Sequence, residues 1–385
     1  MQIEVYKMAV NSLKLEITLE AVCDSFSSLL WDVEYYSCGS FEVYIAATPE
    51  NLGIFKAGRI VGRSDDKQHY GIIEKIHLNA DAENGDYLTV SGRFLMSLLA
   101  RRIIFYTLNF TSETPYHEII RTAVWRNCLW DEVPGNAVRK IPGLQISDIS
   151  SPCWQKTAHL QISNENLMDW IYQICEIVGG TANIRLQSTE NGGFSLVFEL
   201  SEGTDRSIQQ DENPHVIFSD TYNNLLSFDY VLDCTEHSNF AYIYGEGEGA
   251  KRKHTSYFPG YIPFVSTQDD IPSYLDRYEI YVDARDLTTE TQDENGETST
   301  IPNTEYYQIL RERGAEKLMP ITEKSESTIA VNNRQYQYNK DYFLGDYVTV
   351  EHQRFGLKQP KIQLVGMIES FDQNGYSLTP TFKGA

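Results

Sequence analysis

A cluster of carboxylates near residue 283 is the first candidate for chemistry. Asp283 and Asp286 flank Arg285 at the end of an apolar run, and Glu279 lies just upstream. A cell-wall or glycoside hydrolase needs two carboxyl groups about 5–10 Å apart, one of them with a raised pKa. Because the chain contains 54 acidic residues, one close pair carries little information. We therefore favour a salt-bridge network around Arg285 at a strand end, and a carboxylate-based hydrolase is the alternative.

A glycine-rich run superficially resembles a phosphate-binding loop. It reads Gly245-Glu246-Gly247-Glu248-Gly249. A phosphate site needs backbone N–H groups at the start of a helix and no carboxylates close by. Here Glu side chains lie inside the loop, and the residues that follow do not have the pattern of an amphipathic helix. The run therefore predicts a mobile loop after a strand rather than a nucleotide site.

Cysteine and histidine are too dispersed for a disulfide scaffold or a zinc site, both of which need clustered ligands. The cysteines are Cys23, Cys38, Cys128, Cys153, Cys175 and Cys234, and the histidines are His69, His77, His117, His159, His215, His237, His254 and His352. The chain has neither a GxSxG nor an HExxH motif. We predict no catalytic residue, no metal and no cofactor, and mostly buried free thiols in a protein that folds in the cytosol.

The charge balance argues against two classes of partner. The chain has 32 basic and 54 acidic residues and a formal charge of -22. Phosphate neutralisation needs Lys and Arg, so this composition argues against a nucleic-acid-binding protein, and anionic membrane surfaces would repel it. The sequence has no long uninterrupted apolar stretch, and its N-terminus lacks the basic start of a signal peptide.

An excess of aromatic residues is compatible with a binding surface. The chain has 25 tyrosines, and aromatic residues make up 12%. Tyr and Trp bury a large area at little entropic cost, so such an excess is typical of carbohydrate platforms and protein interfaces. Trp31, Trp170 and Tyr347 fall on core-like faces, and core packing is the simplest account of most of the others. A host-surface carbohydrate-binding module is therefore an alternative function.

The elements that position these residues are mainly short strands. Period-two alternation predicts strands through most of residues 1–92 and again from His215 to the C-terminus, in the manner of an antiparallel sandwich or small barrel. Asn84-Gly85 and Asn191-Gly192-Gly193 predict hairpin turns. The polar segment Glu202–Pro214 predicts a linker, and residues 287–302, with Asp293-Glu294-Asn295-Gly296, predict an acidic loop.

Helices interrupt the strands in two places. Apolar residues at helical spacing follow N-capping residues, and Pro or Gly marks the ends. The predicted starts and ends are Thr114-Pro115 and Cys128, Ser163 and Gly179-Gly180, and Thr304 and Pro320. With the strands between them, the first two helices predict a compact α+β insertion.

One internal similarity indicates a duplication. Gly71–Glu74, followed by the turn Asn84-Gly85, matches Gly366–Glu369, followed by Asn374-Gly375. Upstream of these, the runs beginning at Gly58 and Gly345 predict equivalent strands. Short β-patterns also match by chance, so duplication and coincidence both stay open. If the duplication is real, the chain contains two similar barrels, the second of which is completed by the C-terminus.

Several runs in the chain resemble one family, the hub protein at the tail tip of siphophages and related tail-like particles. The most specific is Tyr278–Asp286, which resembles the VDARD run of the family. The others are Tyr35–Glu42, Gly71–Glu74 with Val90–Phe94 and Leu98–Ile103, Asn239–Gly247, Asp341–Val348 and Pro380–Gly384. Together they span nearly the whole chain.

The resemblance implies an architecture. Family hubs are similar to the baseplate hub of contractile tails, in which each subunit has two barrels and a trimer matches a hexameric tube. The expected fold is mainly β with α+β insertions: two tail-tube-like antiparallel β-barrels plus two smaller decorating domains. The expected domains are a first barrel at 1–105, an inserted α+β domain at 106–215, a second barrel at 216–250 and 320–385, and a second inserted domain at 251–319.

The resemblance also implies a function without catalysis. The expected protein is a structural virion component, a trimeric hub that connects the tail tube to the distal tip or baseplate and adapts six-fold to three-fold symmetry. The implied partners are further copies of itself, the tail tube or distal tail protein, the tape-measure protein, and tip, fibre or receptor-binding proteins. Many relatives continue into a hydrolase or receptor-binding part, whereas this sequence ends after the second expected barrel, so we expect separate fibre or lysin subunits.

The acidic composition gains a role in this setting. We expect acidic side chains to line the channel of the trimer, because DNA would then slide through without counterion-release affinity. The alternative is that the acids are spread over the outer surface for solubility. Assembly is expected in the cytoplasm of the bacterial host, with no specific nucleic-acid binding and no membrane insertion by this chain.

Overall fold

The computed structural model describes residues 1–11, 14–81, 83, 85–130, 137–148, 151–189, 193–261, 267, 270–292, 298–329 and 335–384. Strands dominate these residues, as the alternation of apolar and polar side chains predicts. The mainly β fold class with α+β insertions is confirmed. Asn84, Asn191-Gly192 and Asp293–Gly296, on which predicted turns and the predicted acidic loop depend, lie outside the described residues.

The first part of the chain supplies seven strands and a short helix. They are β1 (Ile3–Asn11), β2 (Lys14–Cys23), β3 (Ser28–Glu34), β4 (Ser40–Ala46), α1 (Pro49–Ile54), β5 (Ile60–Arg63), β6 (Asp66–Asp81) and β7 (Gly85–Phe94). Alternation sets the two faces of each strand. In β3, for example, Leu29, Trp31 and Val33 are buried, and the residues between them are more exposed.

The next part, here called the first insertion, is the predicted α+β unit. Its elements are β8 (Leu108–Pro115), α2 (Tyr116–Cys128), β9 (Leu144–Ile146), β10 (Thr157–Ile162), α3 (Leu167–Val178), β11 (Gly180–Ser188) and β12 (Phe194–Glu202). β8 pairs with β10, and β11, β12 and β9 form a three-stranded sheet. The apolar face of α3 includes the buried Trp170 and Ile174, and Gly179 ends the helix in the left-handed region at φ 83°.

Two predicted helix starts in this insertion are wrong by a few residues. Asn166, not Ser163, caps α3, because its side chain accepts hydrogen bonds from backbone N–H groups of the first turn. Thr114 and Pro115 are the last residues of β8, and α2 begins at Tyr116. Ser, Thr and Asn can all cap a helix, so the choice among neighbouring candidates depends on tertiary contacts.

The second insertion follows two further strands, β13 (Ile217–Ser219) and β14 (Leu225–Asp233). It contains β15 (Phe240–Tyr244), β16 (His254–Tyr257), β17 (Glu279–Asp283), β18 (Glu290–Gln292), β19 (Thr298–Thr300) and α4 (Asn303–Lys317). α4 begins before the predicted cap Thr304 and ends before Pro320. β15 pairs with β16 and β17, so residues 240–244 belong to this small sheet and not to the large sheet described next.

One sheet of thirteen strands unites the two ends of the chain. Its last members are β20 (Thr322–Ile329), β21 (Tyr347–His352), β22 (Leu357–Asp372) and β23 (Gly375–Gly384). The main path runs β14-β20-β23-β22-β3-β4-β7-β6-β5-β1-β2, with β21 between β22 and β13. Among the described residues no set of strands closes into a barrel, because β3 pairs with β22 of the other half instead of closing its own half. The two expected barrels are therefore not confirmed within one chain.

The two halves of this sheet repeat one strand order. Neighbouring strands in the first half are β1-β5-β6-β7-β4-β3, and those in the second half are β13-β21-β22-β23-β20-β14. The corresponding strands also occur in the same order along the chain. We call these sets the first repeat and the second repeat. They differ in that β1 runs antiparallel to β5, whereas β13 runs parallel to β21. The shared order confirms the predicted duplication, with the second insertion at the position of the short turn between β3 and β4.

Backbone hydrogen bonds give the equivalence between the repeats residue by residue. The N–H of Gly58 donates to the carbonyl oxygen of Ile73 over 2.8 Å, and the N–H of Gly345 donates to that of Leu364 over 2.8 Å. Both glycines have positive φ, 82° and 92°. The predicted equivalence of the strands that begin at Gly58 and Gly345 is therefore confirmed, and Ile73 corresponds to Leu364.

The bulges of the two long hairpins agree with this register. The irregularity in β6 falls at Glu74, and that in β22 falls at its counterpart Val365. In this register Gly71 corresponds to Ile362 and not to Gly366, so the sequence match in β6 is four residues out of register. The match between the two Asn-Gly turns is correct, because β7 and β23 begin at their glycines.

The hydrophobic cores follow the repeats. One core contains residues of both repeats, with Trp31 and Met367 among them. A second lies in the first insertion and extends to Ile60 and Ile72 of the first repeat, whereas Val61 belongs to the shared core. β5 and the adjoining part of β6 are therefore buried on both faces. A third core lies beneath α4 in the second insertion.

Candidate assembly interface

The junction between the repeats is a pair of antiparallel strands, β3 and β22. Their register runs from Glu34 opposite Gly366 to Leu29 opposite Phe371. Trp31 and Met367 on the core side are fully buried at 0% exposure. Cross-strand packing of this kind is the unit of sheet stabilisation, so the repeats are joined through backbone and core together.

A buried ion pair crosses this junction. Nη1 of Arg63, at the end of β5, lies 3.0 Å from Oε1 of Glu369 in β22, and both side chains are 3% exposed. Asp65 accepts a second hydrogen bond from Arg63 over 2.9 Å, and the hydroxyl of Tyr376 donates to Glu369 over 2.6 Å. The guanidinium carbon lies 5.5 Å from the ring centroid of Trp31. Because a buried charge without its partner is costly, this pair ties the two repeats to one arrangement.

Asp66 of β6 anchors Trp31 from the adjoining turn. Its Oδ2 accepts a hydrogen bond from Nε1 of Trp31 over 3.0 Å and lies 2.9 Å from Nδ1 of His69. Its Oδ1 accepts the N–H groups of Gln68 and His69. Burial would raise the pKa of Asp66, but His69 and these hydrogen bonds outweigh burial and hold the pKa well below its ordinary value. Asp66 is therefore a charged structural anchor at neutral pH.

The first insertion docks onto the same junction through the turn after β3. The N–H of Tyr35 donates to the carbonyl of Val365 over 2.8 Å. The hydroxyl of Tyr35 accepts from the N–H of Gly203 over 3.0 Å, and that of Tyr36 donates to Oε1 of Gln363 over 2.6 Å. One turn therefore holds both repeats and the insertion.

The segment Glu202–Pro214, predicted as a linker, is bound along the second repeat. Nε of Arg206 lies 2.7 Å from Oδ2 of Asp346, which is 3% exposed. Oδ1 of Asp346 accepts the N–H of Thr204 over 2.7 Å. Lys361 of β22 pairs with Asp205 over 2.7 Å. These contacts fix the segment to the body of the protein.

Among the described strands of the large sheet several edges are open, since β2 and β13 each pair with one strand only. Two further open edges lie on β14 and β6. β14 pairs with β20 along one edge, and no strand in the described part of the chain pairs with its other edge. β6 pairs with β5 no farther than Ile72, so beyond the bulge none of the described strands pairs along one edge of residues 75–80. Leu78 is 50% exposed and Leu232 is 56% exposed on these strands. Open strand edges with apolar side chains are templates for pairing with another chain.

The carboxylates near Arg285 form the salt-bridge network that the sequence favoured. Oδ1 and Oδ2 of Asp283 accept hydrogen bonds from Nε of Arg285 over 2.9 and 3.0 Å, and Oδ1 also accepts from Arg252 over 2.8 Å. The hydrogen bond from Arg285 is the largest cause that lowers the pKa of Asp283 to about 2. Glu279 pairs with Arg277 over 2.5 Å. A general acid needs the opposite shift, a raised pKa, which argues against the hydrolase alternative at this position.

The glycine-rich run is filled by the protein's own groups. The carboxylate of Glu246 accepts from Nζ of Lys253 over 2.8 Å and from the N–H of Thr289 over 2.8 Å. The N–H of Glu246 donates to the hydroxyl of Tyr306 over 2.9 Å. The carboxylate and the N–H of Glu246 are therefore both engaged within the protein.

The thiols and histidines show no reactive arrangement in the described part of the chain. All six cysteines are free. Burial raises the pKa of Cys38, Cys128 and Cys153 to about 12, so these groups are not thiolates at neutral pH. Among the described residues no group of three or more His, Cys, Asp or Glu could hold a metal ion. None of the described helices is long and apolar enough to cross a membrane.

Solved structures of tail proteins share this fold. The 43 kDa tail protein of prophage MuSo2 from Shewanella oneidensis is similar with a TM-score of 0.52 and 12% identity, covering 99% of this chain and 98% of that one. A tail protein from Neisseria meningitidis MC58 has a TM-score of 0.52 and 13% identity, with 99% and 96% covered. Prophage tail protein gp18 from Listeria monocytogenes EGD-e has a TM-score of 0.50 and 12% identity, with 100% and 95% covered.

The family follows from the sequence itself. The family described as Siphovirus ReqiPepy6 Gp37-like protein matches residues 10–382. This chain therefore belongs to the Siphovirus ReqiPepy6 Gp37-like family, and the predicted membership of a phage tail protein family is confirmed. No curated protein matches the chain.

Sequence reasoning missed the residues that join the repeats. Arg63 and Glu369 are 306 positions apart, and although Glu369 lies in the matched run Gly366–Glu369, nothing in the sequence connects it with Arg63. The two open edges were also missed, because alternation shows which face of a strand is buried but not which strand lies beside it. The internal similarity indicates that two repeats can be compared, but only the strand pairing in the structure shows where a partner strand is present in one repeat and lacking among the described strands of the other.

Proposed function

We propose that this phage tail protein is a trimeric hub that joins the tail tube to the distal tip or baseplate. The observation that carries the proposal is the six-strand order shared by the two repeats. Three copies with two equivalent repeats each would present six equivalent units to a hexameric tube. A three-fold assembly would then match a six-fold one without a separate adaptor.

We propose that the expected barrel-like walls form between copies of the chain. Each repeat is one set of paired strands with an open edge, and a neighbouring copy would complete the tube-like wall. We propose the division 1–105 for the first tube-like unit, 106–215 for the first inserted domain, and 216–233 with 320–385 for the second tube-like unit. Residues 234–319 would be the second decoration, which takes in β15 because it pairs within the second insertion.

The channel is proposed to lie along the sheet face opposite the shared core. Asp32 and Glu42 of the first repeat, and Asp229 and Asp233 of the second, are on that side of their strands. Carboxylates there would repel the phosphates of the DNA. The DNA would then pass through the channel without the binding that the release of counterions drives. Replacing Glu42 and Asp229 by Lys should increase retention of DNA on the assembled trimer, and unchanged retention would contradict this role.

The proposed role is structural and without catalysis. Its partners would be the tail tube or distal tail protein, the tape-measure protein, and tip, fibre or receptor-binding proteins, with assembly in the host cytoplasm. The lowered pKa of Asp283 supports this reading over the hydrolase. Absence of peptidoglycan cleavage in a zymogram is the expected result, and a cleared band that is lost in Asp283→Asn would contradict it.

The oligomeric state tests the central proposal. Light-scattering mass after size exclusion should be close to three times 44.1 kDa, and negative-stain images of the same peak should show a ring with a central hole. A stable dimer or tetramer would contradict the trimeric hub. A monomer at all concentrations would favour the carbohydrate-binding alternative and make glycan screening the next step.

One observation favours that second candidate, a host-surface carbohydrate binder. Tyr242, Tyr278 and Tyr281 in the second insertion are exposed to 38%, 48% and 60%. Exposed aromatic rings beside polar groups suit the apolar faces of sugars. Binding of the isolated protein to a glycan array that is lost in Tyr281→Ala would support this function, and binding that persists in the variant would argue against this surface.

A further inference from the structure

The two repeats differ in what lies beside one strand. In the second repeat, β22 is covered along its edge by β3. The corresponding edge of β6 in the first repeat has no partner among the described strands. The counterpart of β3 is β14, which lies at the end of the strand path with an open edge of its own. Each copy therefore has two open edges that correspond to the paired edges of its own junction. The open edge of β6 corresponds to that of β22, and the open edge of β14 corresponds to that of β3.

Burial at equivalent positions shows that the β6 edge is incomplete. In the register set by the bulges, Ile76 corresponds to Met367 and Leu78 corresponds to Glu369. Met367 and Glu369 are 0% and 3% exposed, whereas Ile76 and Leu78 are 37% and 50% exposed. Ile76 and Leu78 are apolar and exposed at positions where the second repeat buries its residues. This difference indicates that a strand is missing beside β6.

The β14 edge shows the same deficit. Through the pairings of β3 with β4 and of β14 with β20, Val33 corresponds to Leu232. Val33 is 1% exposed and Leu232 is 56% exposed. Phe228 and Tyr230, the counterparts of Leu29 and Trp31, are only half-buried.

We infer that β14 of one copy adds to the open edge of β6 of the next copy and so repeats between copies the β3–β22 junction found within each copy. This inference rests on the proposed trimer and names its interface. Transferring the internal register places the two strands antiparallel, with Lys75 opposite Asp233 and Ala80 opposite Phe228. Including these two ends, the register contains six residue pairs, which follow from the six pairs of β3 with β22.

The side chains that this register brings together are complementary on both faces. On the core side it pairs Ile76 with Leu232, Leu78 with Tyr230 and Ala80 with Phe228. All of these side chains are apolar or aromatic, so their burial would be favourable at about 25 cal/mol per Å².

The opposite face of the same register is complementary in charge. Lys75 lies opposite Asp233, and His77 lies diagonally between Asp229 and Asp233. Opposite charges directly across a strand pair stabilise the pairing. A slip by one residue would set apolar against charged side chains, so the complementarity is specific for one register.

The geometry also determines the type of assembly. The two edges are different surfaces of one chain, so the contact is head-to-tail, and such contacts form a ring when the rotation closes. If the junction between copies repeats the junction within a copy, successive repeats are related by one rotation. In the proposed trimer this contact would join six repeats into one ring, and no open sheet edge would be left at these two strands.

Cross-linking with paired cysteines tests this interface directly. In a Cys234→Ser background, which removes the exposed native thiol, we would introduce His77→Cys and Val231→Cys into one chain. The inferred register places these residues opposite each other on one face, with Cβ atoms about 4.5–5.5 Å apart and close to disulfide reach. The matched control is His77→Cys with Leu232→Cys, in which the two side chains point to opposite faces of the sheet.

Under mild oxidation the first variant should run as a covalent trimer on a non-reducing gel, and the control should stay at the mass of one chain. A light-scattering trimer in which neither variant cross-links would overturn this interface and leave the trimeric hub intact. Equal cross-linking in both variants, or a cross-linked product limited to two chains, would also overturn it. A monomer that does not cross-link at any concentration would overturn the interface and count against the proposed trimer.

Discussion

At the scale of single residues, Arg63 is the side chain on which the joint between the repeats depends most. Replacing it with Leu removes the partner of the buried Glu369. Removing one member of a buried ion pair costs about 3–5 kcal/mol, because the remaining charge is left without compensation. We expect Arg63→Leu to lower the free energy of unfolding by about this amount in urea titration. The double change Arg63→Leu with Glu369→Leu should cost less than the single change.

The matched control for this prediction is Arg93, which makes an equally short pair on the surface. Its Nε lies 2.9 Å from Glu74, but the two side chains are 44% and 29% exposed. An exposed pair contributes about 0.2–1 kcal/mol. Arg93→Leu should therefore have a small effect, and equal losses for the two variants would show that burial is not the source of the Arg63 effect.

A second residue-scale prediction concerns pH. Burial raises the pKa of Glu316 in α4 to about 7, against an ordinary value of 4.5. Arg313 and Lys317 act against this shift, and Glu312 and Glu165 add to it. Because the folded state holds the proton more tightly, this group contributes full stability below about pH 4.5, and the contribution is lost as the pH rises through about 7. The unfolding free energy of Glu316→Gln minus that of the wild type should therefore be larger at pH 8 than at pH 5. A difference in unfolding free energy that does not change with pH would contradict this.

At the scale of elements, the start of α3 gives a direct test of which residue caps it. Asn166 accepts from the N–H groups of Met168 and Asp169 over 3.1 and 3.3 Å, and its Nδ2 donates to the carbonyl of Ala100 over 2.7 Å. Loss of a cap costs about 0.5–2 kcal/mol. Asn166→Ala should speed hydrogen exchange in the first turn of α3, whereas Ser163→Ala, at the residue that the sequence pattern favoured, should not. The reverse result would restore Ser163 as the cap.

The same helix shows how far a sequence can specify an element. Its apolar stripe and Gly179 predicted the body and the end of α3 correctly, because both depend on local geometry. The start was misplaced because Ser163 and Asn166 are equally good caps in isolation, and the contact with Ala100 that favours Asn166 is 66 residues distant. Strands were predicted well for the same reason that the body of α3 was, since alternation is local.

Strand partners, by contrast, could not be predicted from local patterns. Gly71–Glu74 matched Gly366–Glu369 in letters, yet the hydrogen bonds align Gly71 with Ile362. A shift of four residues preserves the alternation of faces, so the sequence pattern cannot detect it. The closure into barrels was expected for each repeat separately and was not confirmed, because β3 pairs with β22. The candidate interface depends on this pairing and was therefore out of reach of the sequence.

At the scale of the whole molecule, the two open edges and the duplication have one common consequence. The exposed edge of β14 corresponds to that of β3, and the exposed edge of β6 corresponds to that of β22. Further copies of the chain can therefore cover both edges by pairing β14 of one copy with β6 of another. Native proteins usually protect such edges, since exposed strands otherwise pair without control. Here the charges on the face opposite the shared core would select the partner. Lys75 would lie opposite Asp233 of the next copy, and a chain with the wrong register would place carboxylates against apolar side chains.

A charge exchange at this position is the prediction that belongs to the assembled molecule. Lys75→Glu places like charges opposite each other at every junction of the ring, and Asp233→Lys does the same with the opposite sign. A cross-strand charge pair contributes about 0.2–1 kcal/mol, and three junctions form in each trimer. Each single variant should therefore weaken trimer formation by about one to two orders of magnitude in dilution experiments followed by light scattering. The double variant restores opposite charges and should recover most of the loss. Neither residue is part of a core, so these changes should leave the stability of the single chain nearly unchanged. A double variant that forms trimers as weakly as the single variants would therefore show that the two residues do not face each other.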